Sequence, residues 1–264
     1  MERNNPMTNT PPWDAAAVAQ AVSQLTSVRP AYSSIIGFYG PVFVAQVEAA
    51  DNTSPEAIIL DESLVELKLS QGFSLIEPAA FTVDTPVAEH LLIRICGIAA
   101  QSGEKLGLAG EALIQAMDDG VDMDGLFADI LDQQGRIRDL AETMDVPPDM
   151  LSLLLYLAVK PSLETGARQL SVHLTGEQAH RSSCPICGSA PIIGELDAEG
   201  HQWIHCGLCW HRWSVKRMAC PFCDNQDSAS LEYLYNEDES EYLSLIHISE
   251  PTRPVGISRM PSSA

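Results

Sequence analysis

Basic residues are scarce in this sequence: 15 Lys and Arg stand against 36 Asp and Glu, for a formal net charge of -21. A surface that binds nucleic-acid phosphates needs clustered Lys and Arg. Residues 181–242, which hold six of the seven cysteines, carry 10 acidic and 4 basic residues and are acidic too. The composition therefore disfavours a nucleic-acid partner.

Long apolar runs are also missing. The longest, from Leu151 to Val159, is about half of what a bilayer requires and is typical of a buried helix. The opening letters "MERNNPMTNTPPWD" have neither a basic start followed by an apolar run nor a twin arginine. We therefore expect a cytoplasmic protein without membrane insertion.

No familiar catalytic pattern occurs in the chain. A phosphate-binding loop, a dinucleotide fingerprint and a nucleophile elbow are all lacking. His90 and His173 have no nucleophile and acid paired with them, and the carboxylates are dispersed as on a solvated face. We predict that the protein is not an enzyme.

Apolar residues at helical spacing predict an all-helical domain over residues 1–180. Asp14 is a suitable N-cap for the first helix. Pro41 is expected to end or kink the second helix. Pro147 and Pro161 suit first-turn positions, which predicts that one short helix ends before Pro161 and another begins there.

Beyond residue 180 the pattern changes to short strands, "APIIGEL", "HQWIHC" and "HRWSVKRM", with "DAEG" at 197–200 as a hairpin turn. The predicted fold class is α+β, with a boundary near residue 180. Trp203, Trp210 and Trp213 are expected to pack as core over this ribbon.

The ribbon contains two C-x-x-C pairs 18 residues apart, a spacing typical of a four-thiolate metal site. The predicted ligands are Cys184, Cys187, Cys206 and Cys209. Gly188 after the first pair permits a positive φ that brings N–H groups toward the sulfurs. Residues 181–219 are too few to fold on apolar burial alone, since segments below about 40 residues usually need a metal or disulfides.

The other candidates for this chemistry are weaker. Cys96 lies in an apolar helical pattern, which indicates a small buried hydrophobic residue. His201, His205 and His211 are near the pairs, but four thiolates already complete a tetrahedral site, so we expect these rings around the ligands or on the surface.

A third pair, Cys220 and Cys223, has two possible interpretations. It is half of a second metal site, or it is a redox-active dithiol. A redox pair normally opens a helix, which lowers one thiol pKa, whereas the following "DNQDSASLEYLYN" predicts a turn and a strand. The sequence therefore favours half of a metal site.

The string "CPICGSAP…WIHCGLCWHRWSVKRMACPFC" resembles the formate dehydrogenase accessory protein family, FdhE, with weaker likeness in "RPAYSSIIGFYGPVFVAQ" and "YLAVKPSL". The resemblance implies a helical domain and two rubredoxin-like modules built from four C-x-x-C motifs. It also implies iron as the metal, with zinc as the alternative. It further implies a cytoplasmic, chaperone-like protein that binds the formate dehydrogenase catalytic subunit and is needed for the maturation and activity of that enzyme. The expected modules are residues 181–219 and, as a first half, residues 220–242.

Residues 243–264, "LSLIHISEPTRPVGISRMPSSA", depart from the family. They contain no cysteine, and they resemble translated adapter read-through. We expect this segment to be a non-native tail that stands where the family has its fourth C-x-x-C. The sequence leaves open the choice between iron and zinc.

Overall fold

The computed structural model of the protein describes residues 14–132, 135–174, 182–197, 199–216, 219–220, 225–227, 230–236 and 239–247. Side chains are described in these ranges except for residues 232–247. Within them the chain is mostly helical, followed by a small three-stranded sheet, which confirms the α+β class. The predicted boundary near residue 180 lies in 175–181, outside the described residues.

Eight α-helices form the first part of the described chain. They are α1 (Ala15–Val28), α2 (Ser33–Ala50), α3 (Glu62–Ser70), α4 (Thr85–Ala99), α5 (Glu104–Asp118), α6 (Met123–Asp129), α7 (Gly135–Met144) and α8 (Pro148–Ser171). The Asp14 carboxylate accepts a hydrogen bond from the Ala17 N–H, which confirms the predicted N-cap. None of the described helices is long and apolar enough to cross a membrane.

Two helices contain an internal proline, and the prediction that one helix ends before Pro161 is wrong. Helix α2 continues through Pro41. The proline cannot donate to the Gly37 carbonyl, but Gly37 is exposed, so water can satisfy that group. Helix α8 likewise continues through Pro161 as one helix of 24 residues instead of two short ones.

Pro161 is accommodated by a hydrogen bond from another helix. A proline at position 161 leaves the carbonyl of Leu157 without its helical donor. The Gln46 side chain of α2, which is buried, donates from Nε2 to this carbonyl over 2.7 Å. The tertiary contact therefore replaces the bond that the helix loses, and α8 stays continuous.

The sheet follows α8 and consists of β1 (Pro191–Leu196), β2 (Gln202–Cys206) and β3 (Arg212–Val215), antiparallel in that order. Gly200, at φ +83°, lies in the predicted hairpin turn. The Asp197 carboxylate there accepts hydrogen bonds from the His201 N–H and the Trp203 indole. Both bonds lower the pKa of Asp197, to about 2, and the bond from Trp203 has the larger effect.

A second, separate hairpin pairs β4 (Leu231–Asn236) with β5 (Glu239–His247). Strand β4 confirms the strand predicted after the third cysteine pair. The limit between residues 242 and 243, drawn from the sequence, falls inside β5.

The sheet and the helices share one apolar core. Ile186, Ile204 and Trp213 belong to the same buried cluster as Leu151 and Leu154 of α8. Trp213 is therefore core, as predicted, whereas Trp210 remains 37% exposed. Contacts of Tyr156 and Lys160 place the β2–β3 turn against the middle of α8, while the start of the ribbon lies against Leu75 and Ile76.

Candidate metal centre

The first two cysteine pairs come together in a buried pocket. All four side chains are at most 1% exposed. Their Sγ atoms lie within 4.8 Å of one another, and three of the separations are 3.7 Å (Cys184–Cys209), 3.5 Å (Cys187–Cys206) and 3.6 Å (Cys187–Cys209). Disulfide sulfurs would be about 2.05 Å apart. Metal–sulfur bonds of about 2.3 Å in a tetrahedron place the sulfurs roughly 3.8 Å apart. The pocket therefore fits one tetrahedral thiolate-bound ion.

Both pairs are built on the same backbone turn. The N–H of the first cysteine donates to the carbonyl five residues later, from Cys184 to Ser189 and from Cys206 to His211, over 2.9 Å in each case. The residue after the second cysteine is left-handed in both turns: Gly188 has φ +76° and Trp210 has φ +57°. The positive φ predicted for Gly188 is confirmed. A bulky residue in this conformation is rare, so Trp210 is a strained position.

The turn directs backbone donors at sulfur in the second pair. The N–H groups of Leu208 and Cys209 donate to Cys206 Sγ over 3.3 and 3.4 Å. Such bonds stabilise the negative charge that four thiolates leave around a divalent ion.

The four thiols have strongly coupled protonation. Burial raises the pKa of Cys184, and hydrogen bonds with the other three thiols raise the pKa of Cys209. Hydrogen bonds with Cys184, Cys206 and Cys209 lower the pKa of Cys187. Without a cation, the pocket cannot ionise all four groups together, because adjacent buried thiolates repel one another. The donor set is thus suited to a divalent metal that displaces the protons.

None of the three nearby histidines is grouped with the four sulfurs. His201 is exposed and contacts Asp197, and His205 lies 3.4 Å from Glu195. His211 is buried and stacks on Trp213, and burial lowers its pKa to about 4. These positions agree with the expectation that the histidines lie around the ligands or at the surface.

Helix α8 contacts the second cysteine turn through two side chains. The Tyr156 hydroxyl donates to the carbonyls of Gly207 and Leu208, over 3.1 and 3.0 Å. The Lys160 ammonium lies 4.2 Å from the centre of the Trp210 ring. This contact gives a reason for a tryptophan at the strained position. Sequence reasoning missed both residues of α8, because their periodicity shows only that they lie on a helix.

The third pair is only partly described. Cys223 lies outside the described residues, and Cys220 is half-buried. The Cys220 N–H donates to the Asn225 carbonyl over 2.9 Å, again five residues later. Cys220 thus begins with the same backbone hydrogen bond as Cys184 and Cys206. Cys96 is 4% exposed and is not grouped with the other described cysteines, and burial raises its pKa to about 12, as expected for a small core residue.

Comparison with known proteins places the similarity on this centre. The profile of the family "FdhE, central domain" matches residues 183–217. The chain is 38% identical over 91 residues to "Protein FdhE homolog" of Haemophilus ducreyi, which covers 33% of this chain and 29% of that protein. It is 30% identical over 104 residues to "Protein FdhE homolog" of Aquifex aeolicus, covering 38% and 36%. The matches thus span about a third of those relatives' lengths.

The fold has a counterpart among solved structures. The crystal structure of the FdhE protein from Pseudomonas aeruginosa superposes with a TM-score of 0.52 at 18% identity. The superposition covers 84% of this chain and 73% of that one. At this identity the likeness concerns the fold, and with 84% of the chain covered it extends well beyond residues 183–217.

Proposed function

We propose that this chain, whose residues 183–217 match the family "FdhE, central domain", is a member of that family and a metal-binding accessory protein for formate dehydrogenase. It would bind the catalytic subunit of that enzyme during maturation. The proposal includes a cytoplasmic location and no catalytic turnover of its own.

The observation that carries the metal proposal is the buried tetrahedral set of sulfurs inside the segment that matches the family. Cys184, Cys187, Cys206 and Cys209 are the proposed ligands. Iron would supply a one-electron change without loss of its ligands, whereas zinc would serve only to hold the fold. Both ions accept four thiolates at this spacing, so the geometry supports either.

The repeated backbone bond supports a metal-binding role for the third pair as well. Cys220 and Cys223 are proposed as the first half of a second site. A dithiol oxidoreductase would place the pair before a helix, but β4 follows it. With no fourth C-x-x-C in the sequence, two thiolates remain for the second site, and two thiolates bind a divalent ion much more weakly than four.

Metal content tests the proposed site. The chain, produced anaerobically with iron and zinc present, is expected to hold one tightly bound ion per monomer. Iron would give a ferric-thiolate absorption that bleaches on reduction. Cys209→Ala should lose the ion, whereas the matched variant Cys96→Ala, also at a buried cysteine, should keep it. Retention of the ion by Cys209→Ala, or two tight ions per monomer, would contradict the assignment.

Co-purification tests the partner. The metal-loaded chain, co-expressed with a formate dehydrogenase catalytic subunit, is expected to capture that subunit. Cys209→Ala should capture less, since loss of the ion removes the folded ribbon from the surface. A metal-loaded chain that captures no catalytic subunit would overturn the proposed partner while leaving the metal assignment intact.

A further inference from the structure

The helical domain supplies hydrogen-bond donors to both cysteine turns at equivalent positions. In the first turn, the carbonyls of Pro185 and Ile186 accept from the backbone N–H groups of Leu75 and Ile76, over 3.0 and 2.9 Å. These carbonyls belong to the two residues between the paired cysteines. The first turn is thus held by the segment that follows α3.

In the second turn, the equivalent carbonyls are those of Gly207 and Leu208, and here one hydroxyl serves both. Tyr156 Oη lies 3.1 and 3.0 Å from them. A tyrosine hydroxyl is protonated at neutral pH, and burial raises the pKa of Tyr156 further, so the hydroxyl is a donor. The one hydroxyl proton is shared between the two carbonyls of the second turn, whereas two backbone N–H groups serve the two carbonyls of the first.

The two peptide groups that Tyr156 contacts are the ones that donate to sulfur. The Gly207 carbonyl shares its peptide group with the Leu208 N–H, and the Leu208 carbonyl shares its peptide group with the Cys209 N–H. Both N–H groups donate to Cys206 Sγ. A donor on the carbonyl side of a peptide polarises it and strengthens the bond made by its N–H. The chain of contacts thus runs from the hydroxyl, through two peptides, to one ligand sulfur.

We propose that Tyr156 is a positioning residue for the metal, which strengthens the hydrogen bonds to Cys206 Sγ and so stabilises the bound thiolate. This inference rests on the metal binding proposed above. Groups around a ligand that orient it and tune its charge commonly change metal affinity by 10- to 100-fold. Tyr156→Phe removes only the hydroxyl and keeps the ring, so it isolates this effect.

A variant of the same helix distinguishes polarisation of the two peptide groups from simple packing of α8 against the second turn. Lys160 contacts the Trp210 ring and pairs with Glu164 at 3.5 Å, but no contact joins it to the carbonyls of residues 207 and 208 in the described part of the chain. Lys160→Met removes a contact between α8 and the second turn while leaving the Tyr156 hydroxyl in place. Tyr32→Phe, at a half-exposed ring before α2, controls for loss of a hydroxyl elsewhere.

The experiment compares these variants after loading with cobalt(II) and, separately, with iron. Zinc affinity is measured by competition with a chromogenic chelator. Tyr156→Phe is expected to bind zinc about tenfold more weakly. Its sulfur-to-metal charge-transfer bands should move to longer wavelength, and its iron reduction potential should fall, because the sulfur carries more negative charge. Tyr32→Phe should leave the bands and the potential unchanged, and Lys160→Met should leave the bands unchanged.

Each result bears on one claim. If the parent chain binds neither metal tightly, the proposed function fails. If the parent binds metal and Tyr156→Phe matches it in affinity, bands and potential, the inference about Tyr156 fails alone. If Lys160→Met moves the bands as far as Tyr156→Phe does, Tyr156 acts only by docking the turn, and the inference also fails.

Discussion

The buried contact between Gln46 and α8 gives a sharp test of how the helix tolerates a proline. Gln46→Met keeps an unbranched side chain of similar length but removes the donor to the Leu157 carbonyl. Leu157 is 4% exposed, so water has little access to the freed group. A buried acceptor left without a partner costs about 1–3 kcal/mol. We expect the free energy of unfolding to fall by that amount.

A second substitution shows whether Pro161 is the cause. In Pro161→Ala, the new N–H can donate to Leu157 as in any helix. Gln46→Met should then cost less than about 1 kcal/mol, since the carbonyl keeps a partner. The difference between the two backgrounds is the coupling between Gln46 and Pro161.

Urea denaturation followed by far-UV circular dichroism measures all four combinations, with the slope m checked for constancy. Gln101→Met, at an exposed position just after α4, is the matched control, and its effect should stay within about 0.5 kcal/mol. An equal cost of Gln46→Met with and without Pro161 would refute the reasoning. It would show that Gln46 contributes through packing instead of through the carbonyl.

Three further outcomes are expected. Gly110→Ala should destabilise the protein, because its Cβ would lie 3.3 Å from the Cys96 backbone, and this contact should outweigh the gain of up to about 1 kcal/mol in helix propensity; thermal melting measures the net effect. The pKa of Cys96 is about 12 in the folded chain and 9.0 ordinarily, so the unfolded chain loses this proton first and the free energy of unfolding falls as pH rises from about 9 to 12. Cys96→Ala should flatten that fall when urea denaturation is repeated across this pH range, and an equal fall in the parent and the variant would refute the reasoning. Cys184→Ser or chelation of the metal should unfold the ribbon, so trypsin should cleave after Arg212 while the helical fragment persists. A digest identical to that of the metal-loaded parent would contradict a structural role for the ion.

The sequence was sufficient for the local features of this protein. The C-x-x-C spacing predicted the grouping of Cys184, Cys187, Cys206 and Cys209, because two residues between cysteines fix one turn and the hairpin returns the second turn to the first. Apolar residues at helical spacing and in alternation predicted the α+β class, because the spacing of apolar residues along a helix or a strand is a local property of the sequence. The family resemblance rests on the same cysteine segment.

Only the tertiary structure decided which elements support one another. Pro161 ends a helix by every local rule, yet α8 continues, because Gln46, 111 residues away from Leu157 in sequence, supplies the missing donor. Tyr156 shows nothing beyond a helical position in the sequence. It reaches the Gly207 and Leu208 carbonyls because the ribbon and α8 bury a common core. Contacts between distant segments depend on packing, and packing is a property of the whole chain.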